Sequence, residues 1–299
     1  MGVYDYREQF LMTGQEGIDL VLLKDVLKKA AVDGYAYLQP VLDMLSESRT
    51  AEITLHQCAK GRLLLYPDAA LPSDRVLYHF DANVLDVPVL QGVRNLEQHN
   101  LRQGQMLAAL VSGLREVWHC QRGRGFHPEL CLPDFLHICR ALAADRAVFT
   151  ALVCRELRRK GNPYPWRHLL AGEDADIAQK LEGTLADGGT RNPVLLHKAL
   201  RKAWRQWFAD ENREAAADHA ALDYMDRLLM ECRSRGRTSE WIGRADLEPQ
   251  MLARLGDMPG VGNYLDRHAK NLLRFGYRAQ PSDAFNRVHF QHIQREIFS

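Results

Sequence analysis

The chain has 299 residues, 46% hydrophobic and 26% charged, with 39 Lys and Arg against 38 Asp and Glu and a net charge of +1. This length and composition fit a globular protein of one large domain or two small ones and exclude a disordered or fibrous chain. The near balance of charge excludes a global field that would draw the protein to nucleic acid, anionic lipid or an acidic partner, so any such binding needs a local patch.

The opening MGVYDYREQF has no basic region followed by a long apolar run, so neither a secretory signal nor a membrane span is expected. Tyr6, where Ser or Thr would stand, argues against acylation of Gly2. Cys58, Cys120, Cys131, Cys139, Cys154 and Cys232 are scattered without a CxxC pair, as expected for reduced, mostly buried thiols of a cytoplasmic protein.

Ile18 to Ala31 carries apolar residues at helical spacing, with Lys24, Lys28 and Lys29 opposite and Gly34 as a stop. Pro40 to Ser48 predicts a second short helix. Ile53 to Gln57, Arg62 to Tyr66, Arg75 to Phe80 and Val84 to Val89 are short aliphatic and aromatic runs parted by turn residues, which predicts a small sheet over 51–92. Long helices are expected over 101–122 and 133–160, the second begun by Pro133 and Asp134 and ended by Gly161–Asn162–Pro163. Residues 171–192 read as a mobile connection, and 193–299 as a helical C-terminal part broken at Gly236 and at Pro259–Gly260.

Segregated strands and helices make an α+β protein, mainly helical. Its expected organisation is an N-terminal helical segment (1–50), a core (51–170), the connection, and the C-terminal part, which belongs with the core.

The scaffold order, a small sheet, a long helix and then a second helix, is that of zinc peptidases. Their HExxH motif sets two imidazoles on one helix face, with a Glu between them to activate the metal-bound water. Gly113–Leu114–Arg115–Glu116–Val117–Trp118–His119 and Arg140–Ala141–Leu142–Ala143–Ala144–Asp145 resemble an uncharacterised bacterial family of metallopeptidase-like, zincin-like proteins. Its active-site helix reads roughly HELRHxWQ and the following helix roughly RxxEADA. Leu114, Arg115 and Trp118 match the first pattern, and Arg140, Ala144 and Asp145 the second. Asn192–Pro193, Trp207–Phe208 and Gly262–Asn263–Tyr264–Leu265 extend the resemblance over roughly 50–275. It implies a small sheet packed on a long zincin-like helix.

The departures fall on the chemistry. Ser112, Gly113 and Glu116 stand where the family's first His, general-base Glu and second His belong, and Ala143 stands for its acidic ligand. Without imidazoles or a water-activating carboxylate, neither zinc affinity nor a general base remains. Glu116 and Asp145 alone would make at most a weak, oxygen-rich cation site. The competing reading is a plain core helix packing Met106, Leu107, Leu110, Leu114 and Trp118.

His119, Cys120, His127, Cys131, His137 and Cys139 lack zinc-finger spacing and read as core groups, and no cysteine stands out as an activated nucleophile. Met258–Pro259–Gly260–Val261–Gly262 resembles the hairpin of helix-hairpin-helix DNA-binding motifs, with Arg254, Arg267, Lys270 and Arg274 nearby. Asp266 is a poor neighbour for phosphate, and a simple helix-to-helix turn explains the same residues. Leu195 to Phe208 is amphipathic, its Lys198, Arg201, Lys202 and Arg205 offset by Asp210, Glu211 and Glu214. Phe285 to Phe298 reads as a last helix that closes the core or an oligomer contact.

The expected function is that of a catalytically inactive metallopeptidase-like pseudoenzyme. It would bind a peptide or protein partner through Ser112, Arg115, Glu116 and Asp145, with no catalytic residue, metal or cofactor and no membrane contact. The alternatives are a nucleic-acid-binding accessory protein using Gly260, Gly262, Arg267 and Lys270, and a hydrolase of unrecognised chemistry.

Overall fold

Ser48 starts a helix where the β-branched run around Ile53 suggested a strand. In a computed structural model of the chain, α1 spans Leu38–Glu47 and α2 Arg49–Lys60. The Ser48 hydroxyl accepts from the Ala51 N–H, satisfying one orphan donor of the first turn. Glu156 holds the same turn, accepting from Ser48 Oγ at 2.6 Å, Thr50 Oγ1 at 2.9 Å and the Thr50 N–H at 3.2 Å. A carboxylate at a helix N-terminus is favourable. Thr50, Thr54 and Cys58, four residues apart, are buried. Capping and this stripe outweigh the strand preference of Ile53 and Thr54.

The structure describes residues 18–19, 38–89, 96–185, 192–266 and 269–298. Of the helix expected over Ile18 to Ala31, only Ile18–Asp19 is described, and these form a short strand, β1; the rest lies outside the described residues. The chain divides into two units, residues 1–123 with 149–175, and residues 124–148 with 176–299.

In the first unit, β2 (Leu64–Asp68), β3 (Leu77–His79) and β4 (Val84–Pro88) complete a sheet of order β1-β2-β4-β3. β2 and β4 run parallel with Leu64 opposite Val84, and β3 runs antiparallel to β4 with Tyr78 opposite Leu85. All of β4 is buried, as expected for an inner strand covered on both faces. Among the described residues β3 is an outer strand, with Leu77 and Phe80 about half exposed. Helix α3 (Leu96–Cys120) packs against β3 and β4, burying Met106, Leu107, Leu110, Val111, Leu114, Val117 and Trp118. A short helix, α5 (Tyr164–Ala171), lies so close to α3 that a Cβ on Gly104 would sit 2.8 Å from the Tyr164 carbonyl carbon.

Helix α4 (Leu132–Arg159) contributes its first turns to the second unit and its last to the first. Ala175–Leu185, inside the expected loose connection, forms helix α6, because Ile177, Ala178, Leu181 and Leu185 make a buried stripe. Asn192 caps α7 (Pro193–Trp207) and Asp210 caps α8 (Glu211–Ser234). Then come α9 (Pro249–Leu255), a hairpin of β5 (Asp257–Met258) and β6 (Gly262–Asn263), α10 (Ala269–Leu272) and α11 (Ala284–Phe298). The fold is thus α+β and mainly helical. No described helix is long and apolar enough to cross a membrane.

Candidate functional site

Ser112 and Glu116 lie four residues apart on one face of α3 and are partly exposed. Gly113 points instead into the sheet, where a Cβ would lie 2.6 Å from Val76 Cγ2 and 3.0 Å from Leu85 Cδ1. A side chain at the position that would carry a water-activating Glu would therefore have to displace Val76 and Leu85. Arg115 is fully buried, its guanidinium 4.4 Å from the Trp118 ring centroid and 5.2 Å from that of Phe149. Trp118 Nε1 donates to Gln57 Oε1 at 2.8 Å, tying α3 to α2. Tyr78, on β3, donates to Asn83 Oδ1 at 2.9 Å. Burial first, then Cys120, Cys58 and Glu116, push its phenol above the ordinary range. β3 packs against α3, the helix that carries Glu116.

In the second unit, the start of α4 carries a buried polar framework. Arg140 Nε and Nη2 donate to the Asp218 oxygens at 2.6 and 2.7 Å, both side chains being essentially inaccessible. Burial pushes the Asp218 carboxyl up, and the hydrogen bonds and charge of Arg140 pull it back. Tyr264 Oη donates to Asp145 Oδ1 at 2.8 Å, and the Tyr264 carbonyl accepts from Arg201 Nη1 at 3.0 Å. Trp204 Nε1 donates to the Ala141 carbonyl at 3.3 Å. Asp145 is fully buried, and Ala143 is partly exposed. The sequence suggested Arg140, Asp145 and the run holding Tyr264 by motif alone, without pairing them, and Asp218 carried no local signal.

The Met258 to Gly262 turn is a β-hairpin whose neighbouring amides are already used. The Val261 N–H donates to Met258 O and that of Tyr264 to Gly256 O, while those of Leu265 and Asp266 donate to Asn263 Oδ1. Among the described residues, the helix that follows the hairpin, α10, has 4 residues, too short to complete a phosphate cradle. Gly260 and Gly262 are exposed in this turn, Arg267 lies outside the described residues, and Lys270 falls in α10. Within the basic helix α7, Arg201 is spent on Tyr264 and Arg205 lies 5.3 Å from the Phe275 ring.

His137 Nε2 donates to the Leu272 carbonyl at 3.1 Å, and burial lowers its pKa to about 4. Burial raises the thiol of Cys58 to about 12 and pushes that of Cys139 higher, the reverse of an activated nucleophile. Among the described residues, the groups that converge closely enough to hold an ion are Cys131, Asp134 and Asp246, and His219, Asp223 and His289. Neither includes Glu116 or Asp145. Asp134 also accepts from the Leu247 N–H at 2.8 Å. The second group joins two helices, and its only sequence signal is the spacing of His219 and Asp223 on α8.

Residues 95–265 match the model of a family described as "Putative metallopeptidase family (DUF6782)". The match covers more than half of the chain, which belongs to that family. No curated protein and no solved structure matches it. The family's name implies a catalytic metal, and the side chains at Ser112, Gly113, Glu116 and Ala143 do not fit one: none is an imidazole, and Gly113 faces Val76 and Leu85.

Proposed function

We propose that this family member is a catalytically inactive, metallopeptidase-like binding protein that holds an extended peptide or protein segment along β3. The observation that supports the reading is the packing at Gly113, where a Cβ would press on the Val76 and Leu85 side chains, a poor setting for the carboxylate that peptide hydrolysis would need there. No zinc is expected at α3. The outer strand β3, with Leu77 and Phe80 exposed, supports binding by strand addition, which needs backbone hydrogen bonds and apolar side-chain contacts but no metal. Ser112 and Glu116 supply polar contacts beside it, while the buried Arg115 and Asp145 hold their elements in place. Six free thiols suit a reducing compartment, which we take to be a bacterial cytoplasm.

The test is in two parts. Purified full-length protein incubated with casein and mixed peptides is expected to show no chelator-sensitive cleavage; cleavage abolished by both a chelator and Glu116→Gln would overturn the inactive reading. A random-peptide phage library panned on the same protein is expected to yield extended binders that are lost on Leu77→Asp. Binders indifferent to that change would place the docking face elsewhere.

A further inference from the structure

Two helices of the second unit bring together three metal-ligating side chains. His219 and Asp223 lie one turn apart on α8, and His289 comes from α11. Asp223 Oδ2 is 3.5 Å from His219 Nε2, and Asp223 Oδ1 is 3.9 Å from His289 Nδ1. All three donor atoms lie within 4.8 Å of one another. Donors at zinc-to-nitrogen distances in a tetrahedral shell would be roughly 3.3 Å apart, so small side-chain rotations close the site.

The backbone under the cluster is fixed on both sides. The buried Asn286 donates to the Ala215 carbonyl at 2.8 Å, and Arg233 pairs with Glu296 further along. These contacts advance in the same direction along both helices and set His289 beside Asp223 between them. Phe290, Ile293 and Ile297 bury the inner face of α11. The side chains of His219 and Asp223 are about half exposed (51% and 49%), which leaves coordination positions open to water.

We propose that His219, Asp223 and His289 bind a divalent first-row transition ion of the zinc class, clamping α11 onto α8. Two imidazoles and a carboxylate suit such ions and are poor for magnesium or calcium, which prefer all-oxygen shells. His289 lies outside the family match at 95–265, so the family model does not account for this ligand set. A ligand set drawn from both helices binds the assembled pair and not the unfolded chain, so the ion adds to stability.

Zinc chloride alone, titrated calorimetrically into the full chain, tests the site. The expected result is about one tight ion per chain and a zinc-dependent rise in Tm. His219→Ala and His289→Ala should each weaken that binding by more than the about 10–100-fold that loss of an outer-sphere partner costs. Both positions face solvent at least in part, so the zinc-free Tm of each variant, unchanged, confirms folding. No binding by the parent would overturn the proposal. So would zinc retained in both variants and removed by Cys131→Ser, which would assign the ion to Cys131, Asp134 and Asp246.

Discussion

The face of α3 and the first turns of α4 hold the two halves of one motif, and they differ in what has been kept. Leu114, Arg115, Trp118, Arg140, Ala144 and Asp145, which match the family pattern, are all buried. Ser112, Glu116 and Ala143, which depart from it, are partly exposed, and Gly113 is filled by the sheet. On α4 the retained residues sit in hydrogen-bonded pairs, Arg140 with Asp218 and Asp145 with Tyr264. On α3 Arg115 lies against the Trp118 and Phe149 rings, and Trp118 donates to Gln57. Buried charges are costly to leave without partners, so the scaffold preserves them whether or not any chemistry persists. A motif can thus survive as architecture.

The largest effect should come from breaking the α4 framework. Asp218→Ala leaves the Arg140 guanidinium buried beside an empty site and should cost about 3–5 kcal/mol in urea unfolding, whereas replacing both by Met and Leu should cost far less. If the single and double variants are equally unstable, the pair is not the organising feature. Next, Gly113→Ala tests the other half. The helix propensity gain of about 1 kcal/mol should be outweighed by overpacking against Val76 and Leu85, a net loss of roughly 1–2 kcal/mol. A stabilised Gly113→Ala variant would mean that this face has room after all and would reopen the catalytic reading.

A third probe is pH. Burial lowers His137 to about 4 in the fold, against an ordinary value of 6.5. Between those values the unfolded chain binds a proton that the native state does not, so stability should fall as pH drops from 6.5 towards 4, by on the order of 1 kcal/mol per unit. Urea midpoints at pH 7 and pH 5 for the parent and His137→Gln measure it, and the variant should show the smaller drop. Tyr264→Phe removes one hydrogen bond to Asp145 and should cost about 1–3 kcal/mol. The smallest effect is expected from Leu77→Asp, an exposed position, where stability should hold within about 0.5 kcal/mol while peptide capture is lost. Retention on DNA is not expected even at low salt, since the amides of Val261, Tyr264, Leu265 and Asp266 are committed within the protein.

Periodicity and punctuation were enough to find α3, α4, α7 and three strands of the sheet, because the helices carry apolar residues at helical spacing and the strands are short apolar runs parted by turn residues. They failed at Ile53 to Gln57, where Ser48 and Glu156 cap a helix through a partner more than a hundred residues away. They failed also at Ala175 to Leu185, where a run rich in Asp and Gly hid an apolar stripe. The motif could be matched in the sequence, yet its spacing did not tell that Gly113 faces the sheet.

By itself the sequence determined the fold class, the family resemblance and the absence of an HExxH, since these depend on residue identity and local spacing. Tertiary structure alone decided which motif residues are core and which meet water, what Arg140 and Asp145 bind, and that His289 stands beside His219 and Asp223. Those outcomes depend on contacts between segments distant in the chain, and local spacing carries no record of them.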